Sequence, residues 1–197
     1  MQGIRYVFMG GLSLEHISIN TPLTDEVVMS LRVGQNVLLN GKIYSGRDST
    51  HERFFAEISK GRLTDLDIAG QVIYYTGPSP ARKGRVIGAC GPTTSSRMDV
   101  YLTWLLKMGL KGTIGKGSRS QEVIKAMMKY KAVYFAAVGG IAALTNKCIQ
   151  EARVIAFKDL GPEAMYELVV KDFPLIVAND VYGGDIYEEG IRQYSME

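Results

Sequence analysis

KGTIGKGSRSQEVIKAMMKYKAVYFAAV, residues 111–138, reads as a strand beginning at 111–114, a helix over 121–130 and a second strand over 132–138. That order favours parallel pairing with the helix as the crossover, so the fold class is α/β. Working outward, the alternation begins near residue 84. A strand is expected over 85–90, and a helix over 98–108 with Tyr101, Trp104, Leu105 and Met108 at helical spacing. A short helix is expected over 140–146, then strands over 153–157 and 175–178 flanking a helix around 163–169. The first third reads as strands over 36–39, 42–44 and 71–75, where β-branched and aromatic residues lie between turn signals. One helix interrupts them. Ser49 and Glu52 fit a capping box with Ser49 at the N-cap, Phe54, Phe55 and Ile58 give an apolar face, and Gly61 ends it.

No repeat, low-complexity tract or linker divides the chain, and its 197 residues suit one domain spanning 1–197. A chain of this size buries roughly two-thirds of its unfolded surface without a staple. Twenty-three basic against twenty acidic residues give a net charge of +3, too mild for a nucleic-acid surface. Cys90 and Cys148 lie far apart in apolar surroundings, which indicates buried free thiols in a reducing compartment. The N-terminus has neither a basic start nor a sustained apolar stretch, so a cytoplasmic location is expected. The longest uncharged apolar segment, 132–144, is shorter than the roughly 20 residues of a membrane-spanning helix, so no membrane partner is expected.

Three polar segments stand at the ends of expected strands, where α/β sheets place ligand sites. They are Gly46-Arg47-Asp48-Ser49-Thr50-His51, Gly91-Pro92-Thr93-Thr94-Ser95-Ser96-Arg97 and Gly115-Lys116-Gly117-Ser118-Arg119-Ser120. Each carries a cation and precedes a helix, whose N–H groups add to the positive potential. With Arg47, Arg97 and Lys116 converging, the sum suits a small acid with more than one negative group. Each segment also has a plainer reading. Capping accounts for one of the hydroxyls of Thr93, Thr94, Ser95 and Ser96, though not for all of them. Arg47 has a surface partner available in Asp48. His51 fits a helix-face residue, and the loop holding Lys116 and Arg119 lacks the full spacing of a nucleotide cradle. Two cysteines and two histidines without close spacing cannot supply the thiolates of an iron–sulfur cluster, so no metal is expected on this chain.

The three segments, in this order and at these separations, resemble the beta subunit of the two-subunit iron–sulfur fumarases and L-tartrate dehydratases. The similarity begins at Thr21-Pro22-Leu23 and continues through Tyr75-Thr76-Gly77-Pro78 and Gly91-Pro92-Thr93-Thr94-Ser95-Ser96-Arg97-Met98-Asp99. It then takes in Val138-Gly139-Gly140 and Leu160-Gly161-Pro162-Glu163-Ala164. The resemblance implies a swivelling three-layer β/β/α domain and a hetero-oligomer with an alpha subunit that carries a 4Fe-4S cluster. It implies hydration and dehydration of a 2-hydroxy dicarboxylate, fumarate and malate ahead of L-tartrate, with the open iron of the partner's cluster binding substrate. By the same resemblance Thr93 is the base, Arg97 lowers the cost of its deprotonation, and Arg47 and Lys116 hold substrate carboxylates. Thr94 orients substrate or backbone oxygens, and Asp48, His51, Ser95 and Arg119 support them. On the residues alone, a binding module for a phosphorylated or carboxylate metabolite competes with this reading.

Overall fold

A computed structural model describes residues 3–9, 12–62, 66–81, 83–137 and 142–195. The strands are β1 (Gly3–Met9), β2 (Leu12–Asn20), β3 (Asn36–Ser45), β4 (Val72–Tyr74), β5 (Gly112–Gly115), β6 (Val133–Ala136), β7 (Ile149–Ala156) and β8 (Met165–Asn179). The α-helices are α1 (Asp25–Ser30), α2 (Asp48–Ser59), α3 (Asp99–Lys107), α4 (Gln121–Tyr130), α5 (Ala142–Cys148) and α6 (Ile186–Tyr194), with 3-10 turns at Ser95–Met98 and Lys158–Glu163.

The expected crossover unit pairs β5 with β6 in parallel, and the parallel run extends beyond it, β3 with β4 and β4 with β5. β8 then runs antiparallel to both β6 and β3, which closes the sheet into a barrel-like ring. β2 lies parallel to the first half of β3, β1 forms the outer hairpin strand, and β7 pairs with the first half of β8. Alternation sorts the side chains into two cores. Val37, Leu39, Val72, Tyr74, Ile114 and Phe135 fill the ring. Ile73, Tyr75 and Tyr134 point outward and pack under Leu102, Leu105, Val123 and Met127 of α3 and α4. Each such side chain, fully buried, stabilises the fold by roughly 1.5–3 kcal/mol. Among the described residues no helix is long and apolar enough to cross a membrane.

Several expectations need correction. The strands expected over 36–39 and 42–44 are one strand with a register shift between Leu39 and Gly41. Gly41 has φ +100°, and a Cβ there would lie 2.6 Å from Thr21 Oγ1, so only glycine fits the irregularity. No strand forms over 85–90. Gly88 folds that segment onto Ser79, whose N–H donates to the Ala89 carbonyl and whose hydroxyl accepts from the Ala89 N–H, while Val86 is left 50% exposed. The helix expected around 163–169 is the start of β8, because β3 and β7 hydrogen-bond to both of its edges and override local preference. α2 begins at Asp48 with Arg47, not Ser49, as its N-cap: the Arg47 N–H donates to Thr50 Oγ1 at 3.1 Å. Cys90 is buried as expected, whereas Cys148 is only half-buried. The end of the strand expected over 132–138, the start of the helix expected over 140–146, and Val138-Gly139-Gly140 lie outside the described residues.

Candidate functional site

Parallel pairing brings the ends of β3, β4 and β5 to one edge of the ring, and the three polar segments leave from there. The Gly46 N–H donates to the Tyr74 carbonyl, and the Thr93 N–H to the Tyr75 carbonyl at 2.7 Å. Residues 93–95 then run alongside the end of β5. Lys116 donates its N–H to the Thr93 carbonyl, Ser95 donates to the Lys116 carbonyl, and Thr94 bridges Lys116 in parallel. The backbones of Thr93 and Lys116 are thereby fixed side by side at neighbouring strand ends.

Side chains complete the assembly. Arg97 donates from Nη2 to Thr93 Oγ1 in a short contact, and the same nitrogen lies 3.2 Å from Asp48 Oδ2. Asp48 Oδ2 is also 3.6 Å from Arg47 Nε, so one carboxylate bridges the two guanidinium groups. The Arg97 side chain is 46% exposed, Lys116 is exposed, and the Lys116 ammonium has no ion-pair partner among the described residues. Thr94 is exposed beside them. The cluster lies on open surface; a cavity of about 510 Å³ bounded by Ile186, Tyr187 and Ile191 does not touch it. Thr93, Arg97, Asp48 and Arg47 thus form one linked cluster around a hydroxyl, with the backbone of Lys116 paired beside it.

The remaining candidates lie behind this surface. Ser95 is fully buried and donates to Tyr134 Oη at 2.9 Å, and the Tyr134 hydroxyl donates to the Gly117 carbonyl at 2.8 Å. Burial pushes the Tyr134 phenol well above its ordinary range, so it stays a donor. Arg119, with a fully buried side chain, lies 2.8 Å from Asp99 Oδ1, while Asp99 Oδ2 accepts the Ser120 N–H at 2.9 Å. Its guanidinium sits over the rings of Tyr75 and Tyr134 at 5.4 and 5.3 Å. It therefore supports the loop from beneath and does not face the surface cluster. Sequence reasoning missed Glu163, Tyr134 and Gly77 as parts of the site. A Cβ at Gly77 would lie 2.8 Å from Arg47 Cδ, so the arginine lies against bare backbone. Glu163 was marked only by its place in the Leu160–Ala164 segment of the resemblance.

His51 is 4% exposed, and its Nδ1 donates to the Arg47 carbonyl at 2.8 Å, since that carbonyl can only accept. Burial, with a smaller contribution from the Arg119 charge, lowers its pKa from 6.5 to about 4. The folded chain therefore keeps His51 neutral at pH values where the unfolded chain binds a proton. Its contribution to stability is complete above pH 6.5 and is lost as pH falls toward 4, reaching about 3 kcal/mol at the lower limit. His51→Asn retains an N–H donor without titrating. Urea midpoints followed from pH 7 to 4 should fall more steeply for the unaltered chain than for this variant; parallel curves would show that His51 is not held neutral.

Comparison with known proteins adds independent findings. Residues 9–190 match the family model described as Fumarase C-terminus. The chain is 39% identical over 173 residues to a Methanocaldococcus jannaschii protein provisionally named L(+)-tartrate dehydratase subunit beta, covering 85% of this chain and 89% of that one. It is 34% identical over 186 residues to a Geobacillus stearothermophilus protein provisionally named fumarate hydratase class I, covering 92% of this chain and 35% of that one. It is 33% identical over 178 residues to the aerobic fumarate hydratase class I of Escherichia coli K12, covering 88% and 32% respectively. The chain thus spans about a third of these two fumarate hydratases and most of the tartrate dehydratase subunit.

Proposed function

The chain belongs to the fumarase C-terminus family, and on that premise we propose that it supplies the base and the carboxylate-binding groups of an iron–sulfur hydro-lyase. The observation that carries this reading is the Arg97 contact with Thr93 Oγ1, linked through Asp48 to Arg47 on an open edge. The substrate is a small 2-hydroxy dicarboxylate, fumarate and malate ahead of L-tartrate. The guanidinium of Arg47 holds one carboxylate through paired N–H donors and Lys116 neutralises the charge of the acid.

Thr93 takes the proton from the carbon next to the one bearing the hydroxyl. A hydroxyl oxygen does this only as the alkoxide, and the Arg97 guanidinium, donating to Oγ1, stabilises that form. The proton goes to Thr93 Oγ1, the carbon's electron pair forms the double bond and hydroxide departs from the neighbouring carbon; return of the Oγ1 proton to that hydroxide gives water and restores the alkoxide, so that acid becomes enedioate plus water.

The chain's own residues do not fit a 4Fe-4S cluster. Cys90 and Cys148 are its only cysteines, burial pushes the Cys90 thiol up to about 12, and no metal-holding group of three His, Cys, Asp or Glu exists among the described residues. We therefore assign the cluster to a partner alpha subunit or domain and the active form to a hetero-oligomer or fused chain, in the cytoplasm. The same reading makes the barrel-like sheet and its helices one swivelling three-layer β/β/α domain spanning 1–197. With the partner present, Lys116→Ala should raise KM for the dicarboxylate about tenfold with kcat within about twofold. An unchanged KM would remove Lys116, and the dicarboxylate with it, from this account.

A further inference from the structure

Arginine is a poor N-cap, because a guanidinium offers no acceptor to the unpaired N–H groups of a helix start. Arg47 nevertheless occupies that position of α2. The missing acceptor comes from far along the chain. Glu163 Oε2 accepts the Ser49 N–H at 2.9 Å across 114 residues, and the Glu163 carbonyl accepts the Thr50 hydroxyl at 2.6 Å. Its other oxygen, Oε1, lies 3.6 Å from Arg47 Nε. The Pro162 carbonyl and the Arg47 side chain both crowd Gly77, at 3.1 and 2.8 Å from the position of a Cβ there, so residues 162–163 wall the arginine on one side.

Two carboxylates approach Arg47, and they are not equivalent. Asp48 Oδ2 is shared with Arg97, whereas Glu163 pairs with no other cation among the described residues. Both approach Nε at 3.6 Å, an ion-pair distance and not a hydrogen bond. We infer that Glu163 is a positioning residue for the reaction: it caps α2 from a distant segment and pairs its charge with Arg47 from beside Nε, which orients the guanidinium toward a substrate carboxylate. This rests on the reading of Arg47 as the carboxylate holder. Removing the Glu163 charge also makes the edge more positive, which by itself favours a dianion. That gain acts through screening water, while the orientation acts on a direct two-pronged contact, so the loss is the larger effect.

Glu163→Gln keeps an amide oxygen for the Ser49 N–H and the carbonyl for Thr50, and replaces the charged oxygen that faces Arg47 with an NH2 group. In the complex with the cluster-bearing chain it should raise KM for the dicarboxylate about tenfold with kcat within about twofold, and it should add nothing to KM in an Arg47→Ala background. An unchanged or lower KM, or equal increments in both backgrounds, overturns the inference. A second readout needs no activity. In the full chain with 15N-labelled arginine, Glu163→Gln should shift the Arg47 Nε–H resonance, and an unmoved resonance overturns the positioning role. If the unaltered complex turns over no 2-hydroxy dicarboxylate, the functional reading fails and this resonance alone decides for or against Glu163.

Discussion

Thr93→Ala is expected to lower kcat about a thousandfold while KM changes by less than about threefold. The asymmetry follows from what the substitution leaves intact. The backbone N–H and carbonyl of Thr93, bonded to Tyr75 and Lys116, are unaffected by the change, so the strand ends and the cations stay where they are. Only Oγ1, the acceptor of the Arg97 contact, is lost. Thr93→Ser restores that oxygen and should recover kcat to within about tenfold of the unaltered enzyme. Steady-state kinetics on both variants decides the matter. A Thr93→Ala variant that loses binding but not turnover would make this hydroxyl a ligand contact, not a base.

The second large effect is expected at Gly115. A Cβ there would lie 2.0 Å from Ser95 Oγ and 3.1 Å from Tyr75 Cδ2. Ser95 has little room to retreat: it is fully buried, its N–H is bonded to the Lys116 carbonyl and its hydroxyl to Tyr134. Gly115→Ala therefore forces residues 93–95 off the end of β5 and breaks the Ser95–Tyr134 bond, at about 3 kcal/mol of stability for overpacking and a lost buried hydrogen bond together. The displacement should also lower kcat about a hundredfold, the usual consequence of moving a reacting group by about 1 Å. Adding Ser95→Ala to Gly115→Ala removes the closest clash and should restore part of the stability in denaturant unfolding. A Gly115→Ala chain as stable as the original would contradict the packing described for this loop.

The parts of the fold legible in the sequence are those made by short local patterns. The crossover unit of β5, α4 and β6 follows from apolar runs separated by a helical stretch and bounded by turn residues, and the structure keeps it. β8 was not legible. Its 15 residues pass through Lys171 and Asp172, the latter at φ +49°, and its first half looks helical in isolation. Only pairing with β3, β6 and β7 makes it a strand, and that pairing is a property of the closed ring. The segment 85–90 errs the other way. Val86 and Ile87 look strand-like, but among the described residues no strand pairs with them, and Gly88 turns the chain onto Ser79.

The site divides along the same line. The meeting of the loops that carry Arg47, Arg97 and Lys116 was legible because loops at the ends of parallel strands converge whatever the details of their side chains, whereas Thr93 was singled out by the resemblance alone. The depth of Ser95, His51 and Arg119 was not, since nothing local separates a hydroxyl or guanidinium on the surface from one under it. Glu163 was least visible: its partner atoms on Ser49 lie 114 residues away, and the unusual arginine at the start of α2 is its only local trace.

The most direct test is anaerobic co-expression of this chain with the cluster-bearing chain, followed by assays of fumarate and malate interconversion and of L-tartrate dehydration. Activity on one of these acids that requires both chains is the predicted result. Failure of the two chains to associate, with this chain alone binding phosphate or a carboxylate metabolite, would contradict the account and leave a binding module in place of a hydro-lyase subunit.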